Sequence, residues 1–242
     1  MTDPLEMTAR PVLKARVAGL LYLAVIAGGL FAEIGVRQQL IVAGDPSGTA
    51  QNILANEGLF RAGLAINLAY LLCNIPFAVL FFEIFKTVNC MLARLVMMAI
   101  VVTTAIEAAN LFHLLDALDY LIGSFHRGLT LAERHDIAYA SLQGFTSGFA
   151  VSLTFFGGVC LLYGWLIFQS RFLPAFIGVL ITLAGICYLF NSFAIFLAPE
   201  FAGSLFPFIM LPCFVGELSL ALWLSVKGVK VSHAYSSGKE DI

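Results

Sequence analysis

The sequence predicts an all-α polytopic membrane protein, a bundle of six transmembrane helices with both termini cytoplasmic. Three observations predict it. Of 242 residues, 60% are hydrophobic and only 12% are charged, about half the charged share of a soluble domain. Six stretches are each long and apolar enough to cross hydrocarbon as a helix. Lys and Arg also gather on one side of those six stretches, the side that orientation rules place in the cytoplasm.

The tail 1–16 carries Arg10, Lys14 and Arg16 immediately before the first apolar run, 17–36. That layout imitates a secretory signal, but the run is as long as a bilayer needs and ends in no small-residue cleavage site, so it reads as an uncleaved span. Gly44, Asp45, Pro46, Ser47 and Gly48 then form a turn, with Ser47 or Thr49 as the N-cap of a helix leading into the second span, 59–85. Asn67, Asn74 and Pro76 lie within that span, and the proline predicts a kink near mid-depth.

The third span, 95–121, holds Glu107, Asn110, His113, Asp116 and Asp119 inside or at the end of an apolar run. At helical spacing Thr103, Glu107 and Asn110 fall within about 60° of one another, with His113 next on the same side. A charged residue at the centre of a span costs roughly 2.5 to 3.5 kcal/mol on insertion scales, so this stripe faces the bundle interior.

After the longest loop, with Ser124, His126 and Arg127, the run Thr130-Leu-Ala-Glu133 has capping-box spacing and starts the helix of the fourth span, 138–168. Gly144, Gly148 and Ser152 repeat every fourth residue there and predict a close packing seam. The fifth span, 172–197, contains Asn191; the sixth, 201–226, contains Pro207, Pro212 and Glu217, and 227–242 is a polar tail. The three prolines, Pro76, Pro207 and Pro212, are expected to kink their spans.

Arg10, Lys14, Arg16, Lys86, Arg94, Arg171, Lys227, Lys230 and Lys239 fall on the inner side, against Arg37, Arg61, Arg127 and Arg134 outside. Trp165 and Trp223 sit near the inner ends of their spans, where indoles prefer to lie. The five cysteines form no C-x-x-C and suggest neither disulfide framework nor metal site. A net charge of -2 with scattered basic residues excludes a nucleic-acid patch.

Laid side by side, the spans place Asn74, Glu107, Asn110 and Glu217 near the midplane, with Glu33, Arg37, Arg61, Asn67, His113 and Asn191 toward the outer face. This predicts a polar pocket opening outward with Glu107 and Glu217 at its floor, built from Glu107, Glu217, Asn110, Asn74, His113 and Asn191. Glu33 and Arg37, at i and i+4, predict an ion pair that Arg61 caps, or an anion contact. His126, Glu133, His135 and Asp136 match no strong zinc spacing, and no facing histidines exist for a haem, so no metal or cofactor is expected.

The stretches Arg16-Val-Ala-Gly-Leu20, Ala32-Glu-Ile-Gly-Val-Arg37, Asn52-Ile-Leu-Ala-Asn-Glu57-Gly-Leu-Phe-Arg61, Phe172-Leu-Pro-Ala-Phe-Ile-Gly178 and Val215-Gly-Glu217-Leu-Ser-Leu-Ala-Leu-Trp223 resemble bacterial integral membrane proteins grouped as domain-of-unknown-function family 4386. The resemblance spans roughly residues 14–231. It implies a polytopic protein of the bacterial inner membrane, with polar positions matching Glu33, Arg37, Glu57, Arg61, Asn110 and Glu217. It carries no activity.

The function expected from these residues is binding or transport of a small molecule or lipid through the polar pocket, with Glu107 and Glu217 as proton or cation sites. The alternatives are a non-transporting sensor or scaffold, whose polar residues only pin helices together, and an intramembrane lipid-modifying enzyme. The enzyme reading needs a nucleophile or metal that no motif supplies.

Overall fold

The computed structural model describes residues 4–123, 128–206 and 208–229. Ser124, His126, Arg127, Pro207, Lys230 and Lys239 lie outside the described residues, as does the side chain of Arg10. Among the described residues the chain is helical throughout: α1 (Pro4–Leu30), a π-helical segment (Phe31–Arg37), α2 (Gln38–Leu40), α3 (Pro46–Ala55), α4 (Glu57–Phe85), α5 (Cys90–Asn110), α6 (Phe112–Ile122), α7 (Leu131–Ser170), α8 (Ala175–Leu197), α9 (Pro199–Leu205) and α10 (Met210–Val226).

Five stretches are long and apolar enough to cross a membrane: Pro11–Leu40, Glu57–Phe85, Cys90–Ile122, Leu131–Ser170 and Ala175–Leu197; α9 and α10, bent by 56°, pass the same test together. The chain is a multi-pass membrane protein. Its surface agrees, for Leu72 is 72% exposed and Met91 85%, while Glu107, Asn110, Asn191 and Glu217 are buried. Such a distribution suits a solvent of lipid rather than water.

Local chemistry explains most boundaries, and the expected cap of α3 needs correction. The N-cap of α3 is Asp45, not Ser47 or Thr49: its carboxylate accepts from the Gly48 amide at 2.8 Å, and Pro46 supplies the first helical residue. Thr49 instead folds back on Val42, accepting from its amide at 2.9 Å. Pro76 sits inside an unbroken α4, and Pro212 stands in the first turn of α10, where a missing N–H leaves no helical bond unmade. The third span breaks at Leu111 between α5 and α6. The predicted capping box forms, with the Thr130 hydroxyl and Glu133 bonding reciprocally.

The most extensive packing runs in closed order: α1 on α4, α4 on α5, α5 on α7, α7 on α8, α8 on α10, and α10 back on α1. Neighbours run antiparallel, so α1 begins and α10 finishes at the same end, where Gly228 lies against Val12. We call this the terminal end and the opposite one, with α3 and α6, the loop end. Glycines set several of these approaches. A Cβ on Gly185 would lie 2.8 Å from the Gly157 carbonyl oxygen, and one on Gly164 3.0 Å from that of Gly178, so α7 and α8 meet backbone to backbone. The predicted seam of α7 receives side chains instead, with His113 over Gly144 and Asn110 over Gly148.

The interior has two apolar clusters. One, toward the terminal end, draws Tyr22, Phe77, Phe81, Phe85, Ile100, Tyr163, Ile181 and Leu220 from all six ring helices. Within it Tyr22 stacks on Phe77 at 4.7 Å and Phe81 on Phe85 at 4.3 Å, forming an aromatic column. The other cluster, toward the loop end, joins the π segment and α2, α3, α4, α6 and α7 through residues such as Val36, Ile53, Phe60, Leu114 and Phe145. On α5, Thr103, Thr104, Glu107 and Asn110 lie between Ile100 of the first cluster and Leu111 of the second.

Gly185→Val should lower the thermal unfolding midpoint in detergent, at a cost of about 1–3 kcal/mol, because the opposing atom is backbone and cannot yield. Gly158→Ala should be neutral, since nothing lies near the added Cβ. Equal effects from the two changes would show that α7 and α8 do not meet as described.

Candidate functional site

Glu107 is buried, and one of its oxygens shares a hydrogen bond with the Tyr70 hydroxyl of α4. The same hydroxyl lies 3.0 Å from Asn67 Oδ1, whose own Nδ2 donates to the Gly63 carbonyl at 2.7 Å. Asn67 is thereby oriented with its oxygen toward Tyr70. One phenolic hydrogen cannot serve two acceptors. The chain of bonds is complete when Glu107 carries its proton and donates to Tyr70, while Tyr70 donates to Asn67.

One turn toward the loop end, Asn110 donates to the Phe145 carbonyl at 2.8 Å. The Phe145 ring carries the Arg37 guanidinium, 4.8 Å from its centroid. Arg37 donates from Nε to Glu33 at 2.8 Å, the expected ion pair, and is close enough for its charge to act on Glu107 and Tyr70. It is 9% exposed, and its Nη1 is buried with no hydrogen-bond partner. The π segment delivers this residue: its wider turn inserts a residue at the loop end of α1 and rotates the side chains that follow.

Arg61 does not cap this pair. It bonds Glu57 at 2.6 Å, one turn earlier on α4, and both side chains are substantially exposed. Glu57 stands at i, i+4 on the same helix, the spacing at which helical side chains meet.

Glu217 occupies a different setting. Its two oxygens accept from Tyr22 of α1, at 3.0 Å, and from Tyr188 of α8, so the residue ties three helices together. α1 and α4 place Tyr22 beside Phe77 but Gly28 beside Tyr70. Six residues of helical rise thus separate the tyrosines bonded to the two acids, about 9 Å along the bundle. Moreover α5 packs on α4 and α7, whereas α10 packs on α8 and α1. The two acids form two cages, one on each side of the ring, rather than one floor.

Asn191 is buried with Oδ1 unpartnered, and so are Ser192 Oγ beside it and Thr104 Oγ1 on α5. Asn110 lies over Gly148, and Gly157 lies between Gly185 and Leu189. Counted along α7, these contacts set Asn191 within about one turn of the level of Thr104. A fifth unpartnered atom, the Tyr163 hydroxyl, belongs to the aromatic column.

Asn74 is half-buried on the α4 face that bears Asn67. His113 is exposed and lines, with Asp116, Asp119 and Tyr120, a cleft of about 550 Å³ between α6 and α7, away from Glu107 and Glu217. Among the described residues no three of His, Cys, Asp and Glu assemble into a metal site. His135 meets Ser47 at 3.5 Å and joins α3 to α7.

Sequence reasoning missed Tyr22, Tyr70, Tyr188, Thr104 and Ser192. The tyrosines had a signal: a phenol deep in a span, away from the interfacial belts, needs a buried partner. Thr104 and Ser192 had none, since small hydroxyls commonly bond back to their own helix.

Tyr22→Phe or Tyr188→Phe should each destabilise the protein by about 1–3 kcal/mol, because the Glu217 oxygen left behind stays buried. The double change should exceed either alone. Thermal unfolding in detergent reads this, and unchanged midpoints would remove Glu217 as a tie between helices.

No curated protein and no solved structure matches the chain. The model of a family described as "Domain of unknown function (DUF4386)" matches residues 17–228, nearly the whole ring together with the π segment and Glu217, and the chain belongs to that family.

Proposed function

We propose that this chain is a six-span protein of the bacterial inner membrane, with both termini cytoplasmic, that holds a small polar ligand in its mid-bundle polar layer. The observation that carries the reading is a set of four buried, unpartnered polar atoms: Thr104 Oγ1, Asn191 Oδ1 and Ser192 Oγ near one level, and Arg37 Nη1 nearer the loop end. Each unmade hydrogen bond costs about 1–3 kcal/mol. Lipid cannot supply the missing partners, and a scaffold would do better with apolar side chains at those positions. A ligand with donors and acceptors recovers that energy.

The loop end is the side of entry. Arg37 lies three residues from the end of its candidate span, and Glu33 beside it is partly exposed. Toward the terminal end the aromatic column of Tyr22, Phe77, Phe81, Phe85 and Tyr163 fills the interior. In this conformation the layer binds; passage through the bundle would require the stack to part. Glu107, in its chain through Tyr70 to Asn67, is the proton-holding group of the site.

The scaffold reading draws on Glu217, whose oxygens are both satisfied across three helices. We assign that residue to structure and the Arg37–Glu107 side to binding.

The double change Thr104→Val, Asn191→Leu tests the reading. Native mass spectrometry of the wild-type protein in mild detergent should show a retained small molecule, absent from the variant. The ligand-free variant should melt at or above the ligand-free wild type, because unpartnered polar groups have been removed. A variant that melts lower, with nothing bound to either protein, sinks the binding layer and leaves the scaffold.

A further inference from the structure

Arg37 is the one of those four groups that is charged, and its surroundings define a chemistry. A guanidinium offers donors along more than one edge. On Arg37 the Nε side is taken by Glu33, and the Phe145 ring covers the face at 4.8 Å, leaving Nη1 buried without a partner. Ring and ion pair hold the group in place, so the free edge is pre-organised.

The charges around it are unequal. The Glu33 side chain is 36% exposed, against 10% for Arg37, and Gln38 Nε2 also donates to Glu33 at 3.2 Å. The negative partner is therefore the more exposed of the two and is hydrogen-bonded there by a neutral amide, while the positive one is buried. On the inner side stand Tyr70, Asn67 and Glu107, and the hydrogen-bond chain through them is complete with Glu107 neutral. The interior seen from Nη1 therefore holds a donor edge whose counter-charge, Glu33, sits on the Nε side of the guanidinium. A planar fork of N–H groups matches the paired oxygens of a carboxylate or phosphate better than a single neutral carbonyl.

We propose that the ligand carries an oxyanion, a carboxylate or a phosphate, seated on the free edge of Arg37 between Phe145 and the Glu107–Tyr70 pair. This rests on the reading of the polar layer as a binding site. The oxyanion belongs either to a small soluble acid entering from the loop end or to an anionic lipid headgroup of that leaflet, because Arg37 lies near the end of its span.

The test is thermal unfolding of the purified full chain in uncharged detergent, titrated separately with inorganic phosphate, succinate and dihexanoyl phosphatidylglycerol. Sodium chloride at matched ionic strength is the control. The wild-type midpoint should rise saturably with at least one of the three probes and not with chloride. A response to phosphatidylglycerol alone identifies a lipid headgroup; a response to phosphate or succinate identifies a soluble acid.

Arg37→Gln should raise the half-saturating concentration by about tenfold or more. Glu33→Gln should lower it by roughly threefold, since the competing carboxylate is gone. No saturable response in the wild type, or an unchanged response in Arg37→Gln, overturns the proposal. Should Arg37→Gln fail to fold, Glu33→Gln decides: binding unchanged or weakened by it overturns the proposal. A neutral molecule found in the layer by native mass spectrometry, with no response to any oxyanion, sinks this inference alone and leaves the binding layer standing.

Discussion

Hydrocarbon donates and accepts no hydrogen bonds, so each polar side chain placed within the spans must find its partner inside the ring. The polar residues between the two apolar clusters are the part of the structure that this constraint shapes most. Tyr70 reaches from α4 to Glu107, Tyr22 and Tyr188 converge on Glu217, and Asn110 spans to the Phe145 carbonyl. Each contact fixes the rotation of one helix against its neighbour. Glycines make the contacts reachable, because Asn110 packs where a Cβ on Gly148 would stand, and Gly28 and Gly63 admit Tyr70 and Val36 between α1 and α4. Polar satisfaction and close approach are thus one device seen from two sides.

The two acids show how differently that constraint can be met. Glu217 has both oxygens bonded and sits among aromatic rings that close the terminal end, which suits a permanent tie. Glu107 has one bonded oxygen, in a chain that ends on a backbone carbonyl, and looks toward an arginine with an unused donor. The other unpartnered atoms, Thr104 Oγ1 on α5 and Asn191 Oδ1 and Ser192 Oγ on α8, lower the stability of the fold that keeps them. Natural sequences retain such groups where function needs them.

Some of this was readable in advance, for local reasons. The stripe of Thr103, Glu107 and Asn110 follows from helical spacing and is buried as a set. The Thr130–Glu133 capping box and the Glu33–Arg37 pair are contacts within one turn. Local competition misled elsewhere: Asp45 caps α3 in place of its neighbours Ser47 and Thr49, and Arg61 bonds Glu57 on its own helix. The π segment left no trace in hydrophobic pattern, since one inserted residue in a turn changes hydrogen bonding without changing composition.

The sequence by itself determined that the chain is helical, that it lives in a bilayer, and that Glu107, Asn110, Asn191 and Glu217 are buried, because hydrophobicity and a 3.6-residue period are properties of each segment alone. The tertiary structure decided which groups meet. It gave tyrosines to both Glu107 and Glu217, set those tyrosines about six residues of helical rise apart, about 9 Å, and left Arg37 Nη1 without a partner. Those outcomes depend on how far one helix slides and rotates against the next. That register is fixed by contacts such as Gly157 on Gly185 and Asn110 on Gly148, which join residues far apart in the chain and exist only once the ring has closed.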